Sequence, residues 1–166
     1  MFLLLEYLKG MTDVQPQDKN KLLADALSFL QQQTMGVIAT VAQDNTPESA
    51  SVNYMIDSDW KIFILTNKDS RKVQNIKQNN HVAFVVGLPQ VPNTAQIQAD
   101  AEIIEPENEE YEASFTKLKE SNHLNRDPMY DIFGHDYVIL KLQITWLRWL
   151  YFESGTGKSV YTVLIP

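Results

Sequence analysis

The chain has 166 residues, 44% of them hydrophobic, a formal net charge of −7 and no cysteine. That length suits one domain with a full core, and the acidic balance excludes nucleic acid as a bulk electrostatic partner, since no basic stripe exists to release its counterions. Missing thiols exclude disulfides, thiolate metal sites and cysteine nucleophiles, which suits a reducing cytosol, and nothing approaches the roughly 18 uninterrupted apolar residues of a membrane span.

Met1–Gly10 starts apolar, but Glu6 interrupts it and no basic segment precedes it, so it makes a poor signal peptide. A cytoplasmic protein without a membrane partner is therefore expected. Met11 is an alternative start, and residues 1–18 read as an extension ahead of a single domain at 19–166.

From Lys19 to Gln33, the spacing of Leu22, Leu23, Ala26, Leu27 and Leu30 predicts a helix with one apolar stripe. At Met35 the period changes. Gly36–Val41 reads as a strand, Asp44-Asn45 as a turn, and the run from Glu48 as a second strand. In that run Ala50, Val52, Tyr54 and Ile56 share one face, with Ser49, Ser51, Asn53 and Met55 on the other. Asp57-Ser58-Asp59 turns the chain into a strand over Trp60–Asn67. A short helix anchored by Val73 and Ile76 follows, then a buried strand over His81–Gly87. After a loop marked by Pro89 and Pro92, Ala95, Ile97, Ala99, Ala101 and Ile103 alternate with polar residues in a long half-exposed strand. Glu105–Ser121 reads as a surface helix with acids early and lysines late. A polar stretch from Asn122 to Pro128 leads to a long strand at Tyr137–Phe152, a turn at Gly155-Thr156-Gly157 and a final strand at Val160–Ile165. Six or seven strands joined mostly by turns predict a mainly β (α+β) fold, an antiparallel barrel rather than βαβ units. A small closed sheet fills its interior with side chains, so a ligand is expected outside it or at a subunit junction.

The run from Ile62 to Ile76 carries the most chemical information. An apolar strand reaches a polar turn at Thr66-Asn67, and a helix then begins beside two cations. Ser70 is placed to cap that helix, leaving early backbone N–H groups pointing outward, while Arg71 and Lys72 add full charge to the positive end of the dipole. Lys68, Arg71, Lys72 and Lys77 concentrate in an otherwise acidic chain, which points to an anionic ligand such as a phosphate. The same residues also fit a solvated first turn with no ligand.

Other constellations carry less. Gly155-Thr156-Gly157-Lys158-Ser159 resembles the end of a phosphate-binding loop, but Phe152 stands where that pattern needs its first glycine, and a hairpin turn is expected instead. His81, His123 and His135 lack metal-pair spacing, so no metal is expected, and His135-Asp136 reads as a surface turn, with a base and its orienting acid as the other option. No serine lies in Gly-x-Ser-x-Gly, and no catalytic residue is assigned. Trp146, Trp149, Tyr151 and Phe152 form the densest aromatic group. They read as core or interface, with Trp146 at a break in the alternation and stacking near a planar ligand as the other option.

Taken in order, Gly36–Val41, the strand ending Ser51-Val52-Asn53-Tyr54, then Phe63–Asn67 and Ser70-Arg71-Lys72-x-x-Asn75-Ile76-x-x-Asn79 resemble the pyridoxamine 5′-phosphate oxidase-like split-barrel flavoproteins. The resemblance is strongest from Met35 to Gly87, weaker through Ala95–Ile104, and rests on layout thereafter. It implies a homodimeric split antiparallel β-barrel with short flanking helices, binding FMN at the dimer interface and acting as a flavin-dependent oxidoreductase on a small-molecule substrate. By position, Arg71 and Lys72 would hold the FMN phosphate, with hydrogen bonds from Ser70 and Thr66. Ser51, Val52, Asn53 and Tyr54 would flank the ring, Leu65 would lend backbone contacts, and Gln96 or Gln98 would reach the partner chain's flavin. Two departures stand out. Ser51 occupies the place of an arginine in the family's true oxidases, and the tail Gly157-Lys158-Ser159-Val160-Tyr161-Thr162 lacks their Arg-Leu-His-type segment. The resemblance thus extends to cofactor binding rather than to oxidation of pyridoxamine phosphate. The alternative is a non-enzymatic split-barrel module holding haem, another flavin or no cofactor, with a stress-related role.

Overall fold

The computed structural model describes residues 16–88, 91–121, 136–152 and 159–165. The features expected at 1–15, Pro89, 122–135 and 153–158 lie outside them. Helix α1 (Pro16–Gln32) starts three residues earlier than the apolar stripe predicts, with proline at its first position, where no N–H is needed. It buries Leu22, Ala26, Phe29 and Leu30, and the Phe29 ring packs at 4.9 Å from that of Trp149.

Among the described residues, eight strands form one curled antiparallel sheet: β1 (Met35–Val41), β2 (Pro47–Asn53), β3 (Met55–Ile56), β4 (Lys61–Asn67), β5 (His81–Leu88), β6 (Val91–Ile104), β7 (Tyr137–Phe152) and β8 (Ser159–Ile165). Helix α2 (Arg71–Gln78) joins β4 to β5, and α3 (Tyr111–Glu120) lies between β6 and β7. The fold is a mainly β split barrel with short helices. Its sheet order is β2-β1-β5-β6-β7-β4-β3, with β8 added to β7.

Two details depart from the expected strands. The alternation from Glu48 to Ile56 is continuous in burial, but the pairing changes at Tyr54. Residues before it pair with β1 and residues after it pair with β4, at the opposite end of the sheet order. Tyr54 itself donates its backbone N–H to the Thr34 carbonyl and its buried hydroxyl to the Leu30 carbonyl at 2.7 Å. The sheet therefore curls until one residue joins its two ends. The second departure is in β7. Pairing with β6 slips between Gln98 and Ala99, so that Thr145 is left as an extra residue. Val138, Leu140, Leu142 and Ile144 are buried before it and Leu147 and Trp149 after it, as expected when one inserted residue shifts a two-residue period. The bulge also divides one edge of β7: Tyr137–Gln143 pair with β4, and Leu147–Phe152 pair with β8.

Most buried side chains fill the barrel interior. Among them the Phe84 ring lies so close over Gly36 that a Cβ there would stand 2.4 Å from the ring tip. A second, smaller cluster of Phe63, Ile104, Leu118 and Ile139 lies under α3, with Met55 and Leu65 packed against it.

Candidate functional site

The end of β4 and the start of α2 form the site. Within β4, Ile62, Ile64 and Thr66 point inward, whereas Leu65 points outward to the cluster under α3. Thr66 is thus brought to the barrel end just before the turn, where Asn67 Oδ1 accepts the Asp69 N–H at 2.8 Å. Ser70 occupies the N-cap position of α2 with extended backbone, and its carbonyl accepts the Val73 and Gln74 N–H groups at 3.0 and 3.2 Å. The expected side-chain cap is not made: Ser70 Oγ is buried with no hydrogen-bond partner.

Val73 and Ile76 bury α2 against the barrel, so its first turn faces β1 and β2. A cleft of about 170 Å³ lies there, lined by Ile38, Thr40, Glu48, Ser49, Ala50, Arg71 and Lys72. Its cations differ. Arg71 is largely exposed and its Nη1 lies 2.8 Å from Glu48 Oε1. Lys72 is half-buried, donates from Nζ to Thr66 Oγ1 at 3.0 Å, and has its pKa lowered by desolvation. Glu48 Oε2 accepts from Asn75 Nδ2 at 3.1 Å, and the same amide donates to buried Thr40 Oγ1 at 3.0 Å. Thr40 and Glu48 face each other across the β1–β2 pair.

Arg71 and Lys72 line the cleft, Thr66 joins it through its bond to Lys72, and Ser70 stands next to them at the start of the helix. The other expected site residues lie elsewhere. Val52 and Tyr54 turn their side chains into the core, and Asn53 is half-buried. Ser51, Gln96 and Gln98 lie on the sheet's outer face. There strand register lines up Ser51, Val37, Val85, Gln96, Arg148 and Val163 as one row, beside a second row of Ser49, Ala39, Ala83, Gln98 and Trp146. Arg148 donates to Gln96 Oε1 and lies 5.8 Å from the Trp146 ring centre. Met35, Val37, Val85 and Val163 expose large apolar side chains, Met35 to 56%. Glu48, Asn75 and Thr40 were not expected at the site. Asn75 offered a signal, since a polar residue between Val73 and Ile76 stands where a helix meets its support.

No group of three or more metal-ligating side chains occurs among the described residues, and no helix among them is long and apolar enough to cross a membrane.

Residues 22–150, which include the whole cleft, match the family model described as Pyridoxamine 5′-phosphate oxidase. The chain belongs to this family. A 5a,11a-dehydrotetracycline/5a,11a-dehydrooxytetracycline reductase of Streptomyces rimosus is 35% identical over 63 residues, covering 36% of this chain and 44% of that one. The match thus spans under half of that relative. A pyridoxamine 5′-phosphate oxidase-related, FMN-binding protein from Nostoc punctiforme superposes with a TM-score of 0.58 at 12% identity, over 93% of this chain and all of the other. A heme-binding protein from Mycobacterium smegmatis superposes with a TM-score of 0.62 at 18% identity, over 92% of this chain and 60% of the other. At these identities, likeness to the two structures concerns the fold alone, so a ligand assignment within the pyridoxamine 5′-phosphate oxidase family depends on the cleft itself.

Proposed function

We propose that this chain is an FMN-binding, flavin-dependent oxidoreductase acting on a small molecule, and that it works as a homodimer with the flavin ring at the subunit interface. The observation that carries the reading is the buried, partnerless Ser70 hydroxyl beside Arg71, Lys72 and the first turn of α2. A buried hydroxyl without a partner costs about 1–3 kcal/mol, and a phosphate oxygen at this helix start would satisfy it. The donor set fits a phosphate in kind: a guanidinium, an ammonium, two hydroxyls and helix N–H groups.

FMN, when bound, supplies hydride or electron transfer, and the protein supplies binding and orientation. Lys72 is suited to fix the phosphate, because burial disfavours its charge until an anion arrives. Arg71 would close over the phosphate from the solvent side. The outer face with Ser51, Gln96 and Gln98 is the proposed ring and partner surface. Its exposed Val37 and Val85 are cross-strand neighbours, an apolar pair suited to a second copy. The partial similarity to a tetracycline-derivative reductase supports reduction of a small organic substrate.

The absorbance spectrum and ligand mass after gentle purification test the cofactor. A flavin spectrum with the mass of FMN is expected. A haem band, or a colourless protein that ignores added FMN, would replace this reading with that of a haem-binding or cofactor-free module.

A further inference from the structure

We infer that Glu48 is a specificity-determining residue of the anion site, an internal carboxylate that occupies Arg71 in place of the ligand's phosphate and holds down affinity for phosphorylated flavin. This rests on the FMN reading above. Glu48 stands opposite Thr40 on β2, at the edge of the cleft that Arg71 and Lys72 line. Its side chain is 21% exposed and both of its oxygens are engaged: Oε1 with Arg71 Nη1 at 2.8 Å, Oε2 with Asn75 Nδ2 at 3.1 Å. Asn75 is buried and tied to Thr40. The carboxylate is therefore built in rather than loosely exposed, whereas its partner Arg71 is 85% exposed.

The charge balance follows directly. Arg71 and Lys72 bring two positive charges to the cleft and Glu48 returns one negative charge. An incoming phosphate must take Arg71 from Glu48 and then share the cleft with that carboxylate. Both effects act on the phosphate and not on the ring. The site is accordingly weaker toward FMN than its two cations alone would make it, and its discrimination between FMN and riboflavin is reduced.

Glu48→Gln tests this, because glutamine keeps an oxygen to accept from Asn75 while removing the charge. FMN and riboflavin affinities are measured by fluorescence titration of the full chain, wild type and variant, with the thermal midpoint as a check on folding. The expected result is FMN affinity raised by roughly tenfold, about what removal of one like charge at a partly screened site provides, with riboflavin affinity changed less than about twofold. A merely structural role would move both ligands together. Equal shifts, or no shift in either, overturn the role of Glu48 and leave the FMN assignment standing. If E48Q does not fold, potassium chloride titration of the wild type replaces it. FMN binding that weakens with salt only about as much as one net positive charge requires is expected, and a slope reflecting two charges overturns the inference. Wild type and variant both binding riboflavin as tightly as FMN would remove the phosphate assignment, and this inference with it.

Discussion

Lys72 Nζ donates to Thr66 Oγ1 at 3.0 Å, tying the first turn of α2 to the last inward-facing residue of β4. The bond fixes the ammonium at the cleft without neutralising it, and burial pushes its pKa below the usual lysine value of 10.5. Because the unfolded chain then binds more protons at this group than the folded one, the contribution of Lys72 to the stability of the ligand-free protein should rise with pH from the depressed folded value toward 10.5, read as the difference between wild type and Lys72→Met. FMN binding should run the opposite way, weakening over that window as Lys72 loses its proton. Lys72→Met should remove that contribution from both profiles, weaken FMN binding and cost less than about 1 kcal/mol of ligand-free stability. Urea melts and FMN titrations across pH 7–11 check this.

Arg71→Ala combined with Lys72→Ala should reduce FMN affinity by roughly a hundredfold or more, since each charge-assisted phosphate contact is worth about 1.5–3 kcal/mol. Riboflavin binding should change far less. Unchanged FMN affinity in the double variant, read by fluorescence titration, would discard the phosphate assignment.

Tyr54→Phe should cost about 1–3 kcal/mol by leaving the Leu30 carbonyl without its buried donor. Burial holds the Tyr54 hydroxyl protonated well beyond the ordinary phenol range, so the loss should be constant from neutral pH to about pH 9 and shrink above it, where the unfolded chain's phenol ionises. Urea denaturation with an unchanged slope is the measurement.

Gly36→Ala would place a methyl group 2.4 Å from the buried Phe84 ring, which also packs edge-on against Tyr54. Overpacking here should cost about 1–3 kcal/mol. Pairing G36A with Phe84→Leu should recover part of that loss in thermal melts, because the two changes share one volume.

Val37→Lys with Val85→Lys should convert the proposed dimer to a monomer in sedimentation velocity at micromolar concentration. Both side chains are already exposed and directly opposed across β1 and β5, so circular dichroism should show the fold retained. A monomeric wild type would remove the two-chain arrangement.

The mainly β fold and most strand limits were legible because alternation over Val138–Ile144 and Ala95–Ala101 matches the burial of those strands. The break at Trp146 was legible as well, and it traces to the extra residue Thr145. The seam at Tyr54 was not legible, since burial keeps its period there while only the hydrogen-bonding partner changes. At the site, the residues contiguous in sequence, Ser70, Arg71 and Lys72, could be grouped from their spacing. Glu48 and Thr40 could not, because they reach Asn75 only through the packing of α2 on β1 and β2, and no local pattern marks an ion pair between residues 48 and 71.

The divided edge of β7 has a consequence for how the chain is made. β7 is the hydrogen-bonding partner of β4, β6 and β8 alike, so until Tyr137–Phe152 has left the ribosome, β4 and β6 each present a bare edge ready to pair with a neighbouring chain. Closure awaits contacts of long sequence separation, which are slow to form. A nascent chain stalled before residue 137 thus leaves two strand edges open to pairing with other chains.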